Sequence, residues 1–405
     1  MLAPGERFVW HKLIGGSWRV GVSTTLVVRA LARAAGVDPA VMAHRLTGDW
    51  EPTPQAYLRI LRGEEATADP AQPYPFYLAH PLEGEPGDLG ERAGWQIEWK
   101  WDGIRAQVIR RAGQLLVWSR GEELITDRFP EVVEAARALP DGVVLDGELL
   151  CWRGEAPLPF AVLQRRIGRK ALGPKILAEA PAAFVAFDIL EHGGQDIRER
   201  PLGARRALLE ATLATLPGGV FRASPVVPAL PWAELGRLRD ESRTRGVEGF
   251  MLKRLDSPYG VGRRKGDWWK WKIEPYTMDA VLIYAQRGHG RRASLYTDYT
   301  FAVRSGDELL PVAKAYSGLN DDEIRQVDRF VREHTIQKFG PVRAVEPRLV
   351  FELAFEGIQE SGRHRAGIAV RFPRIARWRT DKTPEQVDTI EALRALVRLR
   401  RGAGA

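Results

Sequence analysis

The chain has 405 residues, with 60 lysines and arginines against 52 aspartates and glutamates, for a formal net charge of +8. At roughly 150 residues per domain this length holds two or three domains, and 44% hydrophobic with 28% charged residues is the composition of a folded chain. No apolar run approaches the roughly 20 residues that span a bilayer, residues 1–13 lack a signal-peptide core, and the single cysteine, Cys151, excludes an internal disulfide and a multi-cysteine zinc module. These features lead us to expect a soluble, cytoplasmic protein with no membrane partner. The positive surplus fits solubility and phosphate-bearing partners equally well.

Residues 1–65 read as three short helices. Ser23 and Thr24 cap a run in which Leu26, Val27, Ala30, Leu31 and Ala34 recur at helical spacing, with Gly36 as its stop. Asp38-Pro39 opens a second helix to about Leu46. So few helices cannot build a secure core alone. A linker rich in Ala, Pro and Asp follows over 66–75. Beyond it the runs 95–111, 115–119, 142–152, 183–190 and 247–254 predict strands, with helices over 131–139 and 203–216. Strands and helices do not alternate strictly, which predicts a largely antiparallel α+β domain over 75–275. No glycine-rich nucleotide loop follows any strand.

A second boundary falls at Glu274-Pro275-Tyr276. The strand patterns 279–285, 294–303, 309–315 and 348–355, with one helix over 321–334, predict a small β-barrel of the oligonucleotide-binding kind over 276–386. Residues 387–405 form a basic terminal helix or tail carrying Arg394, Arg398, Arg400 and Arg401.

The chemistry is concentrated in Glu98-Trp99-Lys100-Trp101-Asp102-Gly103-Ile104-Arg105. Alone, Lys-x-Asp-Gly is no more than a lysine before a β-turn. It is followed by Ser119-Arg120-Gly121, by Leu145-Asp146-Gly147-Glu148-Leu149 with two carboxylates in an apolar run, and by Phe187-Asp188. Then come Val247-Glu248-Gly249-Phe250-Met251-Leu252-Lys253, and Trp268-Trp269-Lys270-Trp271-Lys272 with two lysines on one strand face. A cationic block, Arg371 to Lys382, closes the series. The seven histidines are scattered without metal-ligand spacing.

In this order and at these intervals the set resembles the covalent nucleotidyltransferases and, within them, the ATP-dependent DNA ligases, over about residues 75–386. The segment Lys12 to Ser23 is similar to part of the helical DNA-binding domain that precedes the catalytic core in many such ligases, and most of that domain's usual length would fall before Met1. The resemblance implies an α+β fold: a partial DNA-binding segment at 1–65, an antiparallel-sheet adenylyltransferase domain at 75–275 and an OB-fold at 276–386. It also implies a nick-sealing enzyme that uses ATP and Mg²⁺ on nicked double-stranded DNA, as a monomer, alongside DNA-repair proteins.

Lysine suits a carrier of AMP, because a phosphoramidate is stable with a neutral nitrogen and labile once protonated. The amine must first lose its proton, and neighbouring cations lower a lysine pKa. The resemblance makes Lys100 the nucleophile, with Lys270, Lys272 and Mg²⁺ neutralising the α-phosphate. It places Glu98 at the adenine amino edge, Arg105 and Arg120 at ribose and phosphate oxygens, and Phe187 against the base. Glu148 would meet the ribose hydroxyl or the metal, and Glu248 would hold Mg²⁺. Arg264, flanked by Arg263 and Lys265, would contact ATP. Asp102 would orient the nick phosphate or the lysine. Arg371, Arg374, Arg377 and Lys382 would close over the β- and γ-phosphates. An NAD-dependent ligase is disfavoured by the lone cysteine. An RNA ligase, a capping-type guanylyltransferase and a non-catalytic DNA-end-binding protein are the alternatives; nucleotide choice separates the second, and the full set of reactive residue types stands against the third.

Overall fold

The computed structural model describes residues 24–37, 39–46, 53–63, 71–121, 123–169, 171–288 and 292–402, with residues 6, 7, 10 and 14. The segment 12–23 apart from Ile14, the caps Ser23 and Asp38, and residues 66–70 of the linker lie outside the described residues. The chain forms two compact units, Met1–Ser242 with Gly246–Lys272 and Arg243–Arg245 with Ile273–Ala405. Among the described residues no helix is long and apolar enough to cross a membrane.

The first unit begins with helices Thr24–Ala35, Pro39–Arg45 and Pro54–Arg62. Gly36, at φ +67°, closes the first of them. Thr53 caps the third, its hydroxyl accepting the Ala56 N–H at 3.2 Å. Ala32, Met42 and Ala56 are their buried apolar residues among those described.

Two largely antiparallel sheets follow, each with one parallel edge strand. In the first, strands Phe221–Ala223, Ala182–His192, Val143–Arg153, Ile104–Arg111 and Gln114–Ser119 lie in that order, Phe221–Ala223 being parallel to its neighbour. Alternation sends Ala106, Val108, Leu145, Leu149 and Phe184 to the outer face, against Val132, Leu163, Ile176 and Leu209 of four covering helices. The second sheet runs His80–Pro81, Trp268–Lys272, Gly249–Arg254 and Trp95–Trp99. Its outer face buries Trp95, Ile97, Phe250, Leu252 and Trp269 against Leu235 of the helix Trp232–Asp240. Between the inner faces Tyr77, Ile109, Val144, Leu190, Tyr259 and Trp268 form a third core.

The expected strand over 95–111 is divided, Trp95–Trp99 belonging to one sheet and Ile104–Arg111 to the other. The chain crosses between sheets at residues 100–103, so the reactive motif is the crossover itself.

In the second unit the long strand Tyr276–Arg287 pairs with Tyr296–Ser305 on one edge and with Val350–Phe355 and Val342–Val345 on the other. Glu308–Ala315, Thr335–Phe339 and Arg374–Trp378 complete a curled seven-stranded antiparallel sheet. The helix Asp321–Glu333 is capped by Asn320, whose Oδ1 accepts the N–H groups of Asp322 and Glu323 at 3.0 and 2.9 Å. It inserts Val327 and Val331 into a core holding Phe301, Phe351 and Phe355, and the helix Ile390–Gly402 adds Ile390, Leu393 and Val397. The hairpin of Thr335–Phe339 and Val342–Val345 was not expected. Its first strand is mostly exposed and carries no apolar alternation, and Gly340 at φ +56° makes the turn.

Asp188 and Arg205 form a fully buried bidentate pair, Nε to Oδ1 at 2.8 Å and Nη2 to Oδ2 at 2.9 Å. Removing one partner leaves an uncompensated buried charge. Asp188→Ala is therefore expected to cost about 3–5 kcal/mol in urea unfolding, and a loss below about 1 kcal/mol would show that water or another group replaces the carboxylate.

Candidate active site

Three strands of the second sheet build the site by alternation. Their outer residues enter the tryptophan-rich core, so their inner face presents Gln96, Glu98, Gly249, Met251, Lys253, Trp268, Lys270 and Lys272. Across the strands Glu98 lies opposite Met251 and Met251 opposite Lys270, while Gln96, Lys253 and Trp268 form the adjacent row.

Lys100 follows the Trp95–Trp99 strand and is clamped through its backbone. Its N–H donates to Gly249 O at 2.8 Å, and its carbonyl accepts the Glu248 N–H at 2.8 Å. A glycine is required at 249, where φ is +127° and a Cβ would lie 2.3 Å from Trp271 O. The Lys100 ammonium sits 2.5 Å from Glu248 Oε2, and Lys272 Nζ is 3.5 Å from the same oxygen. Burial, then Arg263, Lys100 and Lys272, push the Lys270 ammonium below its usual range, opposed by Glu248.

The facing sheet contributes Arg105 and Glu148, paired across adjacent strands. Arg105 is held by buried Asp146, with Nε to Oδ1 at 3.2 Å and Nη2 to Oδ2 at 2.7 Å, and it donates to Tyr77 O at 2.6 Å. Tyr259 donates to the same Asp146 at 2.6 Å. Glu148 Oε1 accepts the Gly103 N–H at 3.2 Å. Burial, reinforced by Glu248 and Asp102, pushes the Glu148 carboxyl up to about 7 against the pull of Lys100 and Arg105. Asp102, Glu248, Lys100 and Arg105 thus all lie within electrostatic reach of Glu148.

Glu98 and Phe187 occupy an adjoining corner. Glu98 is buried and accepts from Lys253 Nζ at 3.0 Å. Phe187 is flanked by two cations, with Lys253 Nζ 4.2 Å and the Arg105 guanidinium 5.3 Å from its ring centre. Arg120 is exposed, and its N–H donates to Arg105 O at 2.9 Å. Arg264 is also exposed and exerts its field on Tyr77, whereas Arg263 is the cation felt by Lys270.

Arg371, Arg374, Arg377 and Lys382 belong to the second unit. Arg374 pairs with Glu356 at 3.0 Å, Arg377 with Glu352 at 2.8 Å and Lys382 with Asp279 at 2.5 Å. The Arg371 guanidinium lies 5.3 Å from the ring centre of Phe372.

Sequence reasoning assigned no role to Asp146, Tyr259, Arg263 or Lys253. The alternation that put Lys270 and Lys272 on one face would also have flagged Lys253, a cation in an apolar strand.

Glu148 and Glu248 are the hard oxygen donors that Mg²⁺ takes. Among the described residues no group of three His, Cys, Asp or Glu forms a ready metal cage. Mg²⁺ commonly uses one or two carboxylates and completes its shell with water and substrate phosphates, so the pair fits.

Residues 78–272 match the family model for the ATP dependent DNA ligase domain, and residues 292–382 match that for the ATP dependent DNA ligase C terminal region. A probable DNA ligase of Koribacter versatilis is 38% identical over 98% of this chain and 72% of its own length. The chain belongs to the ATP-dependent DNA ligase family. A probable DNA ligase of Opitutus terrae is 36% identical over 98% of this chain, which spans only 45% of that longer ligase. A solved structure described under Lig E DNA ligases superposes with a TM-score of 0.52 at 19% identity, covering 75% of this chain and 99% of that one. That likeness supports the fold, an antiparallel nucleotidyltransferase domain followed by an OB-fold barrel. Within this ligase, the matched regions take in the Lys100 clamp, both glutamates and the lysine strand.

Glu148 gives this ligase a testable pH signature. Its folded carboxyl is raised above the usual 4.5, so between about pH 4.5 and 7 the folded state binds more protons than the unfolded one, and its contribution to stability falls as pH rises. In metal-free buffer Glu148→Gln, which stays neutral, is expected to gain stability over the wild type between pH 5 and 8, on the order of 2 kcal/mol. Parallel unfolding curves at the two pH values would contradict the assignment.

Proposed function

We propose that this ligase seals 3′-hydroxyl/5′-phosphate nicks in double-stranded DNA at the expense of ATP, with Lys100 carrying AMP between steps. The observation that carries the reading is the Lys100 clamp, which fixes an ammonium against Glu248 beside Lys272, on the face shared with Lys270. Neutral Lys100 Nζ attacks the α-phosphorus of ATP; the N–P bond forms as the bond to pyrophosphate breaks, and the nitrogen gives up one proton to solvent. A 5′-phosphate oxygen of the nick then attacks the AMP phosphorus, and Lys100 leaves with a proton regained. The 3′-hydroxyl finally attacks the 5′-phosphorus and expels AMP.

Lys270 and Lys272 supply fixed positive charge to the phosphates without reorganising. Mg²⁺ held by Glu148 and Glu248 would neutralise phosphate charge. In the same reading Asp102 orients the lysine or the nick phosphate, Arg105 and Arg120 meet ribose and phosphate oxygens, and Arg264 contacts ATP. The cations Arg371, Arg374, Arg377 and Lys382 serve the β- and γ-phosphates, which requires exchanging Glu356, Glu352 and Asp279 for substrate. We assign residues 1–65 to a partial DNA-binding segment, 75–275 to adenylyl transfer, 276–386 to the OB-fold and 387–405 to a basic terminal helix. We place the ligase in the cytoplasm as a monomer working beside DNA-repair proteins.

Lys100→Ala is expected to abolish transfer of label from α-labelled ATP in a folded protein, and Lys100→Arg to be equally inactive because a guanidinium stays protonated. Retained labelling in either variant would exclude Lys100. Glu248→Gln is expected to slow self-adenylylation by on the order of 100-fold, with a raised Mg²⁺ requirement; an unchanged rate would remove Glu248 from the site.

A further inference from the structure

Glu98 and Lys253 are each 1% exposed, and the chemistry above uses only the glutamate. Lys253 Nζ donates to Glu98 Oε1 at 3.0 Å, and Gln96 Nε2 donates to that same oxygen at 2.5 Å. Gln96 is itself buried and lies directly opposite Lys253 on the neighbouring strand. The ammonium is further enclosed by the rings of Phe187 and Trp268, at 4.2 and 4.6 Å from their centres. Both donors converge on Oε1, so neither engages Oε2.

Stability alone does not explain such a pair, because a buried ion pair is often no better than apolar residues of similar volume. The opposite face of these strands shows that apolar packing is accessible to them. Recognition of an amino group does explain it. An exocyclic N–H needs an acceptor, and only an ionised carboxylate is acceptor on both oxygens. Burial pushes the Lys253 ammonium down, while Glu98 foremost and Asp188 and Asp146 behind it oppose that.

We propose that Lys253 is a positioning residue for base recognition: with Gln96 it holds Glu98 by Oε1 and turns it, so that Oε2 accepts the 6-amino group of adenine. The proposal rests on the reading of Glu98 as the adenine-contacting residue. It predicts that ATP is preferred over purine riboside triphosphate, which has hydrogen in place of that amino group, and that the preference depends on Lys253.

The test is self-adenylylation of the full chain with each nucleotide, compared as kcat/KM. The wild type should prefer ATP by about 10- to 100-fold, the worth of a hydrogen bond to a charged group. Lys253→Met should bring the ratio close to one, with the loss confined to ATP and the rate with purine riboside triphosphate changed by less than about three-fold. Lys253→Arg, which keeps the charge, should retain most of the preference. Gln96→Met should lower the ratio at least about three-fold and decides the matter if Lys253→Met does not fold. Equal slowing with both nucleotides in Lys253→Met, or an unchanged ratio in Gln96→Met where that variant decides, would make the pair merely structural and overturn the proposal. A wild-type ratio of one would instead overturn the adenine reading of Glu98, and the proposal with it.

Discussion

A β-strand sends alternate side chains to opposite faces, and in this ligase three short neighbouring strands must satisfy both faces at once. On the outside Trp95, Ile97, Phe250, Leu252 and Trp269 supply the burial that holds the sheet in place. That anchoring fixes where Glu98, Lys253, Lys270 and Lys272 stand on the inside. Lys100 lies one residue past a strand end, where alternation no longer governs it, and the backbone bonds to Glu248 and Gly249 take over. A side chain at 249 would collide with the Trp271 carbonyl, so the clamp depends on glycine there.

The inner face gathers more charge than a buried surface tolerates, and the strain is visible in individual groups. The Glu148 carboxyl is driven up to about 7, and the Lys270 ammonium is driven down, both chiefly by burial. An anionic phosphate beside the lysines and a cation beside the glutamates would relieve both, which supports the proposed binding of ATP and Mg²⁺ between the two sheets. Asp146 has a different role. It is fully buried and holds Arg105 by two hydrogen bonds, which fixes the guanidinium beside Phe187.

The Lys-x-Asp-Gly motif, most strands and the antiparallel class were legible because each rests on local pattern: the motif itself, alternation and turn residues. The division of residues 95–111 between two sheets was not, since a crossover is decided by which distant strand each half pairs with. Lys253 was overlooked for a similar reason. Its partners Glu98 and Phe187 are far away in sequence, so alternation flags a cation in an apolar strand without supplying its role. In the cationic block, residue types were legible but their pairing was not. Glu352, Glu356 and Asp279 reach Arg377, Arg374 and Lys382 only because the barrel strands bring them into register.

The most direct measurement is to incubate the intact ligase with ATP and Mg²⁺, digest it under conditions that preserve phosphoramidates, and locate the added AMP by mass spectrometry. The account predicts a single modified residue, Lys100, at up to one AMP per chain. AMP on Lys270, Lys272, Lys253 or any residue other than Lys100 would contradict it.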